Sequence, residues 1–575
     1  MRTKLMLVLT AYCVLACTSH NTDQARTAKT YCNPVDISYR FGLENPSRRE
    51  AADPTIVKFK GLYYLFASKS GGYWHSPDLH TWTFVDATEI PTEEYAPTAV
   101  AIGDTLYFLA SSNEKSTIYK TSDPLTGHWS VAREALDRPV WDPAFFLDDD
   151  QRLYLYWGCS NVNPLYGVEL DYRKGFTFVG QPKEILYPNP AQNGWEVPGD
   201  YNSILTQQPW IEGAWVNKHN GTYYLQYSGP GTEYKSYSNG VYVSDQPLGP
   251  YTCAPHNPFS YRPEGFIAGA GHGSTITDAF GNFWNMSTGT ISVKQIFERR
   301  LVLYPAFIDD RGTMYANTKF GDYPMNVPNR KVTGFNDLFT GWMLLSYQKP
   351  VQVSSSVDSL PARNLTDENI RTYWAATSGK PGEYAIIDLE KICDVYALQI
   401  NFAEHDTKLL GRKTATYHRY TLAYSDDQTT WRMLIDRSGN MTDNTHVYIP
   451  LPERISCRYI RLMNVEVPDG NVALSDLRIF GISNEAFPQA VTGLRVTRNA
   501  ENSRSVTLRW NKVPDAVGYN ISYGIDSARL YHNYLVYTDT LLTLNSLNST
   551  QKYYFTVESF NSRGITPTRE LVQIP

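Results

Sequence analysis

Ala52-Asp53-Pro54-Thr55-Ile56, then Gly61-Leu62-Tyr63-Tyr64-Leu65, then Ser76-Pro77-Asp78-Leu79 with Trp82, make up a unit that recurs along the chain. A second copy reads Ala96-Pro97-Thr98-Ala99-Val100, Gly103-Asp104-Thr105-Leu106-Tyr107-Phe108 and Ser122-Asp123-Pro124-Leu125. The third has Trp141-Asp142-Pro143-Ala144-Phe145 and Leu153-Tyr154-Leu155-Tyr156, the fourth Ile211-Glu212-Gly213-Ala214-Trp215 and Asn220-Gly221-Thr222-Tyr223-Tyr224-Leu225. A fifth opens at Gly271-His272-Gly273-Ser274-Thr275 and closes at Asp309-Asp310-Arg311-Gly312. Repeats of roughly 40 to 50 residues, each with several short strands, mark propeller blades. One four-stranded blade cannot bury both its faces, so blades pack side by side around a channel. The expected fold class is all-β: a five-bladed β-propeller over residues 32–347, then β-sandwich domains over 348–484 and 485–575.

In this register Asp53, Pro97, Asp142, Glu212 and His272 hold the equivalent inner-strand position, so five distant stretches converge on one channel mouth. Asp-Pro also begins ordinary turns, and either aspartate taken alone reads equally as a strand-end cap. Glu212 is harder to dismiss, because it lies between Trp210 and Trp215, where an unpaired carboxylate would be costly. Asp148-Asp149-Asp150 reads as a solvated loop, and Arg300 as pointing away from its neighbour Arg299. Trp74, after the pair Gly71-Gly72, lines the pocket or packs between blades.

A net charge of −6 offers no broad basic footprint and argues against a nucleic-acid partner. Aromatic residues make up 14% of the chain, with 42 Tyr and 13 Trp, which suits β structure and surfaces that meet sugar rings. Arg2 and Lys4 precede an apolar run, Leu5 to Leu15, too short to cross a bilayer and followed by Ala16-Cys17. That leader resembles a bacterial lipobox, which implies cleavage before Cys17, lipidation of Cys17, a flexible tether over 18–31, and a lipid-anchored place in the cell envelope. Beyond the leader only Cys32, Cys159, Cys253, Cys393 and Cys457 remain; no metal-binding spacing appears, and one pair such as Cys393 with Cys457 has the option of a disulfide.

The propeller segment resembles glycoside hydrolase family 43 through its Ala-Asp-Pro, Trp-Asp-Pro and Ile-Glu-Gly motifs, in that order. The resemblance implies that Asp53 is the general base, Asp142 the modulating aspartate and Glu212 the general acid of an inverting glycosidase. It also implies that Arg299, in Arg299-Arg300-Leu301-Val302-Leu303-Tyr304-Pro305, reaches the terminal sugar, and that His272 meets a channel calcium through water. No cofactor is required for the chemistry. Residues 348–484 resemble a discoidin-like (coagulation factor type C) domain through Asn364–Asn369, Thr372-Tyr373-Trp374 and Arg458-Tyr459-Ile460-Arg461-Leu462, which implies carbohydrate binding and room for a structural calcium. Residues 485–575 resemble fibronectin type III through Trp510, Tyr519, and Leu547 ahead of Tyr553.

The expected substrate is a plant-type saccharide attacked from its end, as by an α-L-arabinofuranosidase or a β-D-xylosidase, with an exo-galactosidase as the alternative. A carbohydrate-binding surface lipoprotein without catalysis, or an adhesive protein working through its sandwiches, are the readings of another class.

Overall fold

The computed structural model describes residues 29–411 and 416–575, so the leader and Cys17 lie outside the described residues. Between Ala52 and Ala316, five sheets of four antiparallel strands follow one another, each paired in chain order. Their first strands are Ala52–Phe59, Thr98–Ile102, Ala144–Leu147, Glu212–His219 and Ala268–Thr277, and these touch one another in a closed cycle. That is the five-bladed propeller the repeats predict.

The strand Leu62–Ser68 shows why the blades hold together. Tyr64 and Phe66 pack on Phe108 and Trp129 of the next blade, while Leu65 and Ala67 turn toward Trp284, Met286 and Leu301 of the last. Similar cores fill the remaining interfaces, around Leu155 and Trp157, around Tyr154 and Tyr227, and around Ile267 and Val302. Each buried apolar side chain of this size contributes about 1.5–3 kcal/mol. The ring is locked where Thr30–Tyr31 pairs with Met325–Asn326. Asn33, fully buried, donates from Nδ2 to Leu303 O and Gly321 O (2.9 and 2.7 Å) and accepts from Leu303 N at 2.8 Å.

Asp148 departs from the sequence reading. Asp149 is exposed, but Asp148 is buried, held by Lys218 Nζ at 2.7 Å and Tyr223 OH at 2.6 Å from the next blade. A hairpin turn packed against a neighbouring blade is no longer a solvated loop.

After the propeller, two long strands, Tyr384–Phe402 and His446–Glu466, pair with each other along most of their length. Register breaks between Asp388 and Cys393 let the first strand pair with Val351–Val353 in one half and with Ala473–Ser483 in the other. Such breaks bend a strand from one layer into the next, and the resulting sandwich closes over Trp374, Leu398, Ile460 and Ile479. Cys393 and Cys457 stand directly opposite each other here, as thiols. The last stretch is a second sandwich: three strands (Arg495–Arg498, Val506–Arg509, Leu541–Leu544) face a five-stranded sheet centred on Gly518–Gly524 and Tyr553–Asn561. Trp510, Leu547 and Tyr553 lie in its core, and Tyr553 OH accepts from Asn548 N at 3.0 Å.

Candidate active site

Asp53, Ala96, Asp142, Gly213 and His272 share an unusual backbone, with φ of 52°, 45°, 48°, 64° and 32°. Each stands two positions before the residue that resumes regular pairing: Thr55, Thr98, Ala144, Trp215 and Ser274. These five are therefore the true equivalents, and the register read from the motifs is one residue off at Pro97 and at Glu212. The left-handed turn fixes the register, and in blade four a glycine supplies it. Glu212 is thereby moved one position out of the ring, where it is half-buried, while Asp53, Asp142 and His272 stay buried.

Hydroxyl groups of neighbouring blades clamp four of these turns. Ala96 N donates to Ser68 Oγ (2.7 Å), Asp142 N to Ser111 Oγ (2.9 Å), His272 N to Ser228 Oγ (2.5 Å) and Asp53 N to Thr288 Oγ1 (2.8 Å). In blade three the equivalent position is Gly158, which has no hydroxyl. The next residue, Cys159, instead donates its thiol to Glu212 Oε2 at 3.1 Å.

The carboxylates have different surroundings. Asp53 accepts from Ser68 Oγ at 2.5 Å and from Arg299 Nη1 at 3.0 Å. Arg299, itself buried, is fixed by Glu50 Oε1, which accepts from Nη2 at 2.8 Å and from Nε at 3.2 Å. Burial opposes the Arg299 charge, but Asp53 and Glu50 outweigh it and raise its pKa. Arg299 therefore meets the proposed base directly. His272 Nδ1 lies 3.4 Å from Asp53 Oδ1 and 3.6 Å from Asp142 Oδ2.

Burial, then the negative charges of Glu212 and Asp53, push the Asp142 carboxyl well above its ordinary value. One oxygen each of Asp142 and Glu212, with the Cys159 sulfur, lie within 4.8 Å of one another. Negative charge on either carboxylate disfavours negative charge on the other at this separation. Tyr237 OH donates to Glu212 Oε1. Burial, followed by Asp142 and Glu212, also raises the Cys159 thiol, which keeps it a hydrogen-bond donor.

Glu212 lines an open pocket of about 460 Å³, with Trp141, Cys159, Trp210, Glu233, Ile296 and Phe297. Trp74 does not belong to it: it is 1% exposed and packed on Phe84 in the core between blades. Sequence reasoning also missed Cys159, Tyr237, Glu50 and Ser68. Aligning the second strands of the blades exposes the Gly158-Cys159 departure; nothing in the sequence marks Tyr237.

Calcium is bound by six to eight oxygens. His272 faces oxygens of Asp53 and Asp142 that belong to the site, so it fits such an ion only through intervening water. Among its described residues, the first sandwich has two unpartnered carboxylate oxygens. Asp367 Oδ1 and Asp476 Oδ1 are buried without hydrogen-bond partners; burial pushes Asp367 up to about 6, and burial with Glu368 raises Asp476 well above its usual range. Orphaned carboxylate oxygens of this kind fit a hard cation.

Residues 44–310 match the model of the glycosyl hydrolases family 43, and residues 350–476 that of the F5/8 type C domain. A β-D-galactofuranosidase of Aspergillus niger is 27% identical over 244 residues, 36% of this chain and 64% of that protein, so the chain spans less than two thirds of that relative. A xylosidase/arabinosidase of Humicola insolens is 23% identical over 35% of this chain and 78% of its own length. The crystal structure of a thermostable family-43 glycoside hydrolase is 22% identical, with 52% of this chain and all (100%) of that one covered, at a TM-score of 0.42. With three motif carboxylates gathered at one channel mouth, residues 44–310 of this chain belong to the glycosyl hydrolases family 43, and residues 350–476 form an F5/8 type C domain.

Proposed function

We propose that the chain is an inverting glycosidase that removes a terminal arabinose- or xylose-type residue from a plant-type saccharide. Asp53 takes a proton from water, whose oxygen bonds to the anomeric carbon as the glycosidic C–O bond breaks. Glu212 gives its proton to the departing oxygen. Asp142 keeps that proton available, and Arg299 and His272 hold Asp53 and the sugar in place. The reading is carried by one observation: Asp53 is buried beside Arg299, whereas Glu212 lies at the open pocket with Asp142 close behind it. A galactofuranose-type terminal sugar is the alternative, supported by the name of one relative.

Glu212→Gln and Asp53→Asn should each lower kcat by about 10²–10⁴ while leaving the melting temperature close to the parent's. Near-parental turnover of a nitrophenyl glycoside in either variant would falsify the assignment. Proton NMR of the first-formed sugar anomer tests inversion. The lipobox-like leader supports lipidation of Cys17, which would anchor the protein in the cell envelope, periplasmic or surface-exposed; Cys17→Ser should release the protein from the membrane fraction. The last sandwich, with its Tyr553 corner, suits a fibronectin type III-like spacer. Asp367 and Asp476 would hold a structural calcium, which stiffens the sandwich and takes no part in the chemistry.

A further inference from the structure

We propose that Trp141 and Trp210 form the binding site for the leaving group, so that the bond cut is one whose departing side is itself a neutral sugar. The inference rests on Glu212 being the proton donor. A proton donor must stand beside the glycosidic oxygen, so the space on its open side receives the part that leaves. That space is the pocket of about 460 Å³, within the range that encloses one or two sugar rings, and Glu212 lines it while Asp53 does not.

The two indoles flank Glu212 from adjacent blades. Trp141 directly precedes Asp142, and Trp210 lies two residues before Glu212. They are 38% and 44% exposed, whereas Trp74, Trp195, Trp284 and Trp374 are all under 2%. Leaving large apolar side chains in water forgoes burial, and the buried clusters of the propeller include neither ring. Trp141 is held through its ring and Trp210 through its backbone. Trp141 Nε1 donates to Asn113 Oδ1 at 3.0 Å, and Trp210 N donates to Pro230 O at 2.8 Å next to the bridge between Ile211 and Ser160. Exposed indoles beside a hydrogen-bonding carboxyl suit the apolar C–H face of a sugar. Glu233 shares the pocket with Glu212, and among the described residues the pocket lining holds no Lys or Arg to attract an anionic leaving group.

The test compares two substrates with the same terminal sugar: an oligosaccharide and the glycosyl fluoride, whose small leaving group cannot stack. In Trp141→Ala and Trp210→Ala, the ratio of kcat/KM for oligosaccharide over fluoride should fall at least about tenfold, and Trp→Phe at either site should restore most of it. Equal losses on both substrates, or no loss, would sink the subsite while leaving the glycosidase reading intact. A parent protein inert toward every fluoride and oligosaccharide would remove both. Thermal melting of each variant confirms that a lowered ratio is not unfolding.

Discussion

Asp142 touches neither the open pocket nor Arg299, yet its charge decides where the proton resides. Burial and the neighbouring Glu212 and Asp53 raise the Asp142 carboxyl well above its ordinary value. Asp142→Asn takes away a carboxylate whose negative charge, beside the proposed acid, favours the protonated form of its neighbour. We expect kcat to fall about 10²-fold and the alkaline limb of its pH profile to move to lower pH. A steady-state pH–rate series checks this, and an unmoved limb would assign Asp142 to sugar binding alone. At this scale the three acids were legible because each sits in a repeated motif. Their partners were not: Tyr237 and Cys159 lie 25 and 53 positions from Glu212, and a hydrogen bond across blades leaves no local pattern. Trp74 misled for a related reason. A glycine pair before a tryptophan looks the same at a rim as in a third strand packed between blades.

The propeller's inner turns set what the blades present, and the period of aromatic strands revealed the blades themselves. The off-by-one register arises when acidic residues are aligned with one another, whereas the backbone aligns the positions that need positive φ. Gly213 carries this constraint most tightly. Its φ is 64°, and a Cβ there would meet His272 Cγ at 2.6 Å and Ser228 Oγ at 3.0 Å. Gly221 is the natural control, with φ of 82° and nothing within 4 Å of where a Cβ would stand. Gly221→Ala should cost about 1 kcal/mol of stability and leave kcat near its parental value. Gly213→Ala should lose at least as much stability and, by displacing Glu212 and His272 together, lower kcat by about 10²-fold. Melting curves with parallel kinetics separate the two. Equal kinetics for both variants would mean that the His272 contact yields without moving the acid.

The succession of propeller and sandwiches was legible from changes in motif, but how they dock was not, since the docking side chains come from strands and loops far apart in sequence. Arg49 Nε donates to Glu404 Oε1 at 2.7 Å, Lys294 Nζ to Glu404 O at 2.7 Å, and Arg300 Nε to His446 Nε2 at 2.9 Å. Ile370 of the first sandwich joins the core between blades four and five, and its N donates to Phe266 O at 2.9 Å. The sandwich therefore braces both walls of the pocket. On one side it grips the Lys294 loop that leads to Ile296 and Phe297. On the other, Arg371 Nη1 donates to Asp200 Oδ2 at 3.1 Å, Asp200 Oδ1 accepts from Lys235 N at 2.8 Å, and Arg371 Nη2 reaches the Glu233 carbonyl at 3.5 Å. The Arg371–Asp200 pair is partly solvated, with side chains 20% and 34% exposed, so its loss should cost no more than about 1 kcal/mol. Its effect on the pocket should be larger, because small displacements of a binding wall are amplified in catalysis. Arg371→Ala should raise KM for an oligosaccharide severalfold with kcat little changed, and Arg371→Lys, which keeps the charge, should recover part of the loss. Kinetics unchanged in Arg371→Ala would show that the propeller shapes its pocket without help. A fall in kcat matched by a fall in melting temperature would instead mean that Arg371 supports the fold as a whole.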